Sequence, residues 1–208
     1  MGSMSSSDQE LEVKFYLSRR EEAEQKLVAL GGLLAHPRVH EVNLRFDTPD
    51  LSLLQEGKLL RLRKDSRVRL TFKGVGSEQG GVRLRQELEI TVSDYDTTRK
   101  LVEALGFQVQ MMYEKYRTTY RLGETEVALD EMPTGDFLEI EGPDSESIKA
   151  VSRQLGLNWS ARILDSYTVL FERTRVNLGF GFRDLSFANF EGIKVGPQAL
   201  GVKFADSK

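Results

Sequence analysis

The chain has 208 residues, of which 39% are hydrophobic and 29% are charged, a composition typical of a globular protein with one ordinary domain. Its formal net charge of -3 argues against a broad surface for nucleic acid or anionic lipid, and no apolar run approaches the ~20 residues of a membrane span. The absence of cysteine excludes disulfides and thiolate metal sites, and agrees with a reducing compartment. We therefore expect a cytoplasmic protein, either a monomer or a homodimer, that binds neither nucleic acid nor membranes.

The first half of the chain alternates two-faced strands with a helix. In the first predicted strand, residues 10–17, Glu10, Glu12 and Lys14 share one face because side chains alternate along a strand. A helix is expected next, since Ser18 and Glu21 match a capping box. Further strands are predicted at residues 38–47, 58–64, 67–74 and 82–92, with a mobile loop at residues 74–81.

The second half repeats this pattern. A helix is predicted over residues 93–105, ending at Gly106. Strands follow at residues 107–120, 124–131 and 137–142, then a third helix at residues 144–155 and a short helix at residues 166–172. The residues after 175 show weak periodicity and are left unassigned. The sequence thus predicts an α+β fold in which β-structure dominates, with about eight mostly antiparallel strands.

One face of nearly every predicted strand carries arginine, lysine or glutamate. For a single strand the ordinary explanation is a face exposed to water. Repetition over seven or eight strands favours instead an eight-stranded antiparallel closed barrel with a polar interior, covered outside by helices. The predicted interior contains seven acids and seven bases: Glu10, Glu12, Glu87, Glu89, Asp130, Glu139, Glu141, Lys14, Arg61, Arg63, Lys73, Arg85, Lys115 and Arg117.

This mixture of charges is suited to a small-molecule triphosphate and its cations. A triphosphate carries roughly four negative charges, which Arg and Lys can bind through its oxygens. Glutamates are the expected ligands of Mg²⁺ or Mn²⁺, and the sequence has no His or Cys cluster that would indicate zinc.

An ordered series of motifs accompanies the pattern, beginning with E-x-E-x-K at residues 10–14. The others are FDTP at 46–49, LRLR at 60–63, TFKG at 71–74, RQELE at 85–89, EKYR at 114–117, LD at 129–130, EIE at 139–141 and SY at 166–167. Over residues 9–173 the chain resembles the CYTH, or triphosphate tunnel metalloenzyme, superfamily. That superfamily includes thiamine triphosphatases, class IV adenylate cyclases and inorganic triphosphatases.

The resemblance implies a tunnel that binds a triphosphate with Mg²⁺ or Mn²⁺. By position, the implied metal ligands are Glu10, Glu12, Asp130, Glu139 and Glu141. The implied substrate-binding bases are Lys14, Arg61, Arg63, Lys73, Arg85, Lys115 and Arg117. Catalysis is assigned to Glu10, Glu12, Lys14 and Lys73, whereas Glu87 and Glu89 could contact metal or only orient bases.

Two positions depart from the family pattern. Arg45 precedes Phe46-Asp47 where many members have an aromatic residue, which counts against a tyrosine that acts together with Lys73. Asp165 stands where members often have a lysine, and Arg162 is the candidate to supply that charge.

We expect a metal-dependent hydrolase of inorganic triphosphate or of a small organic triphosphate. A class IV adenylate cyclase, which forms cyclic AMP and pyrophosphate, is the alternative in the same fold, and a non-catalytic polyphosphate or nucleotide binding module is a third. The expected organisation is a cloning scar or disordered N-terminus at residues 1–8, a tunnel domain at residues 9–174, and a tail of unknown role at residues 175–208.

Overall fold

A computed structural model describes residues 9–207, so the predicted N-terminal scar at residues 1–8 lies outside the described residues. The strands are β1 (Gln9–Leu17), β2 (Leu33–Asp47), β3 (Leu59–Lys64), β4 (Val68–Gln79), β5 (Val82–Val92), β6 (Gln108–Leu122), β7 (Thr125–Met132) and β8 (Gly135–Glu141). They close into one antiparallel barrel in the order β1-β5-β4-β3-β2-β6-β7-β8. The predicted fold class is confirmed.

The helices lie between and after the strands. They are α1 (Arg20–Ala29), α2 (Ser52–Gln55), α3 (Tyr95–Ala104), α4 (Ser145–Gln154), α5 (Tyr167–Leu178) and α6 (Pro197–Leu200), with 3-10 turns at Trp159–Ala161 and Ala188–Phe190. Asp94 caps α3 by accepting from the Thr97 backbone N–H at 2.6 Å, and Asp144 caps α4 in the same way. None of these helices in residues 9–207 combines the length and apolarity that a membrane crossing requires.

The hydrophobic core lies outside the barrel, because the apolar side chains of the strands point away from its axis. Phe15 and Ile140 are fully buried beneath α1 and α4, where they join Leu27 and Ile148 in one cluster. A second cluster lies under α5 and the C-terminal residues, and a third lies near α3. This arrangement leaves the charged faces of the strands inside, as predicted. The helices do not cover the whole exterior, since Ile90 on β5 is 60% exposed.

Two local predictions were wrong. Ser18 and Glu21 do not form a capping box; instead the Asp206 carboxylate accepts from the backbone N–H of Ser18 and of Arg19, at 2.9 and 2.8 Å. The predicted loop at residues 74–81 is mostly strand, because an irregularity between Lys73 and Gly76 lets β4 continue to Gln79. The turn itself is confined to two glycines at positions 80 and 81, which both have positive φ.

The unassigned C-terminal residues pack onto the barrel. Helix α5 continues to Leu178, beyond the predicted end at residue 172. Phe180, Phe182 and Phe190 then form an aromatic cluster, with centroids of the first two 4.8 Å apart. Phe204 stacks on Tyr16 of β1 at 4.9 Å. Aromatic contacts rather than a regular periodicity hold this segment, which explains its weak signal in the sequence.

Candidate active site

The barrel encloses a cavity of about 360 Å³, which we call the tunnel cavity. Its volume is at the lower end of the ~300–1,000 Å³ usual for ligand pockets, so it suits a compact ligand. The charged side chains that line it are Glu10, Glu12, Glu87, Glu89, Glu126, Glu139, Glu141, Lys14, Arg61, Arg63, Arg69, Lys73, Arg83, Arg85, Lys115 and Arg117. Of the site candidates named from the sequence, Asp130, Arg45 and Arg162 are outside this lining. Asp130 is fully buried in the wall, and Arg45 adjoins a second cavity.

Acidic side chains gather in one part of the cavity, the acidic pole, which comprises Glu10, Glu12, Glu87, Glu126 and Glu141. The strand register places Glu141 of β8 opposite Glu12 of β1 on one side and opposite Glu126 of β7 on the other. Partial burial of its carboxyl group and repulsion from Glu10, Glu126 and Glu12 raise the pKa of Glu141 from 4.5 to about 8. Glu141 is exposed at the cavity mouth, so water also screens this repulsion.

Basic side chains gather elsewhere, around Tyr113, in the basic pole: Arg61, Arg63, Lys115 and Tyr113. Burial would raise the pKa of the Tyr113 hydroxyl, but the positive charges of Arg61, Arg63 and Lys115 outweigh it and lower the pKa. Arg61 donates to the Tyr113 hydroxyl at 3.5 Å and to Thr71 at 3.2 Å. The Arg61 Nε is buried and has no hydrogen-bond acceptor among the residues described. The Arg61 guanidinium therefore keeps hydrogen-bonding capacity that the described residues do not use.

Glu41 forms the wall behind the basic pole. Its carboxylate is 3.4 Å from Arg63 and 3.7 Å from Lys115. Burial would raise the pKa of Glu41, but these two cations hold it well below its usual range. Glu41 is therefore ionised and helps to balance the buried positive charges.

Two lysines lie beside the acidic side chains. Lys73 contacts Glu10 and is 2.8 Å from Glu87, and Lys14 is 2.7 Å from Glu12 and 3.4 Å from Glu139. Burial would lower the pKa of Lys14, but Glu12 and Glu139 reverse the effect and raise it above its ordinary value. Lys14 thus remains charged near neutral pH.

Asp130 is saturated with hydrogen bonds. Its two oxygens accept from Arg117 at 2.6 Å each, from Lys115 at 2.8 Å and from the Tyr167 hydroxyl at 2.7 Å. Arg117 also contacts Glu139. This geometry favours a supporting role for Asp130, in which it fixes the directions of Lys115 and Arg117. Its implied role as a metal ligand stays a prediction.

Arg85 and Arg162 are both held by the backbone. Arg85 donates to the carbonyls of Gly74 and Gly57, the latter at 2.8 Å, and burial together with the charge of Arg83 lowers its pKa to about 10. Arg162 donates to the Gly81 carbonyl at 2.9 Å and lies outside the tunnel cavity. Arg162 therefore does not replace the lysine that the family pattern has near position 165.

Several residues of the site were not among the candidates named from the sequence. Tyr113 and Arg83 could have been found, because they precede Lys115 and Arg85 by two positions on the same strand faces. Glu41 had the same alternating signal within β2. Tyr167 had no alternating signal, because it reaches the site from helix α5, but it belongs to the SY motif at residues 166–167.

The donor chemistry of the acidic pole fits a hard divalent cation. Within residues 9–207, no three Asp, Glu, His or Cys side chains are already arranged around a common metal position. The crowding of Glu10, Glu12 and Glu141 is nevertheless unfavourable when all are ionised, as the raised pKa of Glu141 indicates. Mg²⁺ or Mn²⁺ would relieve this repulsion, and carboxylate oxygens are the ligands that both ions prefer.

Comparison with known proteins identifies the family. The model for the CYTH domain matches residues 8–158. The chain belongs to the CYTH family. The match includes β1 through α4, and hence every strand of the barrel.

Individual CYTH-like relatives agree with this assignment. A Methanocaldococcus jannaschii protein provisionally named an adenylate cyclase is 25% identical over 134 residues, which cover 64% of this chain and 75% of that protein. The structure of PH1012 from Pyrococcus horikoshii is 29% identical, with a TM-score of 0.66 over 76% of this chain and 96% of its own. HpAC1 from Hippeastrum, described as having a dominant triphosphatase activity, covers 93% of this chain and 100% of its own with a TM-score of 0.56. At 18% identity, it shows the fold alone.

Proposed function

We propose that this protein hydrolyses a triphosphate with the help of Mg²⁺ or Mn²⁺ inside the barrel. The observation that carries the proposal is the uneven distribution of charge within one cavity: carboxylates crowd around Glu141 and cations crowd around Tyr113, and the two groups meet where Glu87 lies 3.6 Å from Arg61. A cavity that binds an anion without metal ions needs the cations but not the carboxylates. The two poles together suit an anion that arrives with divalent cations.

The basic pole would bind the phosphate oxygens. Arg61 and Arg63 are almost entirely buried, so their charges act in a medium that screens them little. The guanidinium groups of Arg61 and Arg63 line the tunnel cavity, so their N–H groups can donate to phosphate. Because the bases are already fixed by Glu41 and Asp130, little reorganisation is needed when charge develops during transfer.

The acidic pole would hold the cation through Glu10, Glu12 and Glu141. When bound, a divalent cation neutralises phosphate charge and favours the ionised form of a coordinated water. Lys73, in contact with Glu10 and Glu87, places a positive charge next to this pole. We expect Lys73 and Lys14 to stabilise the charge on the phosphoryl group that is transferred.

A class IV adenylate cyclase is the second candidate, favoured by the name of the Methanocaldococcus jannaschii relative. The two reactions differ in the attacking group. Water attacks the terminal phosphorus in the hydrolase, whereas the ribose 3′-hydroxyl attacks the α-phosphorus in the cyclase. Both would use the same charged cavity, so product analysis must separate them.

The experiment incubates the protein with tripolyphosphate, ATP and thiamine triphosphate, first with Mg²⁺ and then with Mn²⁺. Orthophosphate release supports the hydrolase, cyclic AMP supports the cyclase, and tight binding without either product supports a binding module. Glu10→Gln removes a carboxylate charge while keeping its shape, so we expect metal-dependent turnover to be lost. Full activity of Glu10→Gln would contradict the metal assignment at the acidic pole.

A further inference from the structure

A second cavity of about 720 Å³ lies beside the barrel, between the end of β2, α2, β6 and α5. We call it the arginine-rimmed cleft. Its apolar lining is Phe46, Leu51, Leu54, Met111, Val169 and Val176. Three of these side chains remain well exposed in the cleft: Leu54 by 53%, Val169 by 44% and Val176 by 71%. Apolar walls with a few polar groups are typical of sites for organic ligands.

The cleft adjoins the tunnel cavity at a thin partition. Thr168 lines both cavities, and its hydroxyl accepts a 2.6 Å hydrogen bond from Arg45 on the cleft side. Burial lowers the pKa of Arg45; Tyr113 and Asp47 oppose this effect, and the charge of Arg61 in the tunnel cavity adds to it. Arg45 and the basic pole are therefore close enough to interact.

Arg45 has the features of an anion contact. It is half-buried, and within the described residues it forms no ion pair with a carboxylate. Asp47, two residues away, accepts instead from the backbone N–H groups of Leu53 and Leu54, each at 2.9 Å. The guanidinium at the partition can therefore exchange its hydrogen bond to Thr168 for one to a phosphate that extends from the basic pole toward the cleft.

Resting on the function proposed above, we propose that the arginine-rimmed cleft is the organic-group subsite of this active site: it holds the nucleoside of a nucleoside triphosphate, and Arg45 contacts the phosphate nearest to that nucleoside. The terminal phosphate then lies toward the acidic pole. This assignment uses both cavities and gives a role to Arg45, which the charged interior of the barrel does not explain.

The charge of the rim selects among organic groups. Arg173 and Arg175 are paired with Asp165 and Glu172, but Arg183 lines the cleft and has no ion pair among the residues described. With Arg45, the cleft therefore keeps an excess of positive charge. This charge repels a cationic organic group such as the thiazolium of thiamine triphosphate, whereas a neutral base can pack against the guanidinium planes.

The test narrows the cleft without touching the tunnel cavity. Val169→Trp places a large side chain beside Thr168, and Val28→Trp makes the same change on exposed α1, away from both cavities. Initial rates of phosphate release give kcat/KM for ATP, tripolyphosphate and thiamine triphosphate. Val169→Trp should lower kcat/KM for ATP by about tenfold or more and leave that for tripolyphosphate within about twofold. Val28→Trp should change neither, and wild-type protein should prefer ATP to thiamine triphosphate.

The outcomes separate this inference from the function on which it rests. If Val169→Trp lowers kcat/KM equally for ATP and for tripolyphosphate, or lowers neither value, the cleft is not the nucleoside site. Preference for thiamine triphosphate over ATP would also overturn it. If wild-type protein hydrolyses none of the three compounds, the hydrolase proposal fails. Calorimetric Kd values of Val169→Trp and wild type for ATP and for tripolyphosphate then test whether the cleft binds the nucleoside. A thermal unfolding scan of each variant checks that it is folded.

Discussion

Replacing Arg117 by methionine removes the cation that joins two buried acids. Arg117 makes two 2.6 Å hydrogen bonds to Asp130, which is fully buried, and also contacts Glu139. Breaking a buried ion pair by deleting one partner costs about 3–5 kcal/mol. Asp130 keeps Lys115 and Tyr167, and Glu139 keeps Lys14 at 3.4 Å. We therefore expect the lower end, a loss of about 3 kcal/mol in the free energy of unfolding.

Urea unfolding measures this free energy, and thermal unfolding should show Tm lowered by about 6–12 °C. The matched control is Arg99→Met on α3, where Arg99 and Glu103 form an exposed pair at 2.9 Å. That pair is worth only about 0.3–0.5 kcal/mol. A loss below about 1 kcal/mol for Arg117→Met would refute the view that this buried network depends on Arg117.

Three further predictions address the acidic pole, the basic pole and the C-terminus. Because the pKa of Glu141 is raised from 4.5 to about 8, the folded metal-free protein holds a proton there that the unfolded chain releases, so stability should fall as pH rises through this range. Glu141→Gln should flatten this fall. A profile of Tm against pH that is the same for Glu141→Gln and wild type would contradict the crowding of carboxylates around Glu141. Arg61→Ala should raise the Kd for tripolyphosphate and reduce its dependence on ionic strength, as calorimetry at low and high salt can show; an unaltered Kd removes Arg61 from the phosphate contacts. Asp206→Ala should lower the free energy of unfolding by about 1 kcal/mol, because the backbone N–H groups of Ser18 and Arg19 lose the acceptor that ties them to the C-terminal residues. Urea unfolding indistinguishable from wild type would count against that role.

The period-two charge pattern was sufficient to predict the barrel and most of the cavity lining. Strand β5 was predicted at residues 82–92 and is observed at Val82–Val92, with Arg85, Glu87 and Glu89 inside. Alternation works here because a strand in a closed barrel has one inward and one outward face, whatever its neighbours are. The same reasoning predicted that Glu10, Glu12 and Lys14 lie inside together.

Interactions between distant residues were not predictable in this way. Ser18 and Glu21 had a good local capping signal, but Ser18 donates instead to Asp206, 188 residues away. Asp130 resembles a metal ligand in the sequence, yet in the structure its oxygens accept from Arg117, Lys115 and Tyr167. Local patterns predict which face of a strand a residue lies on and what its chemistry is. They do not predict its partners, which depend on the strand register and on the packing of elements that are distant in the sequence.

The sequence by itself determined the two-faced strands, the charged interior and the family motifs, because each depends on the spacing of neighbouring residues. Only the tertiary structure decided how those charges divide into an acidic and a basic pole, since barrel closure sets which strands face one another. It also decided the packing of the C-terminal phenylalanines and the cleft beside Arg45, which bring together β2, β6 and α5. The cleft requires contacts across more than a hundred residues, such as the bond from Arg45 to Thr168, and local spacing carries no information about them.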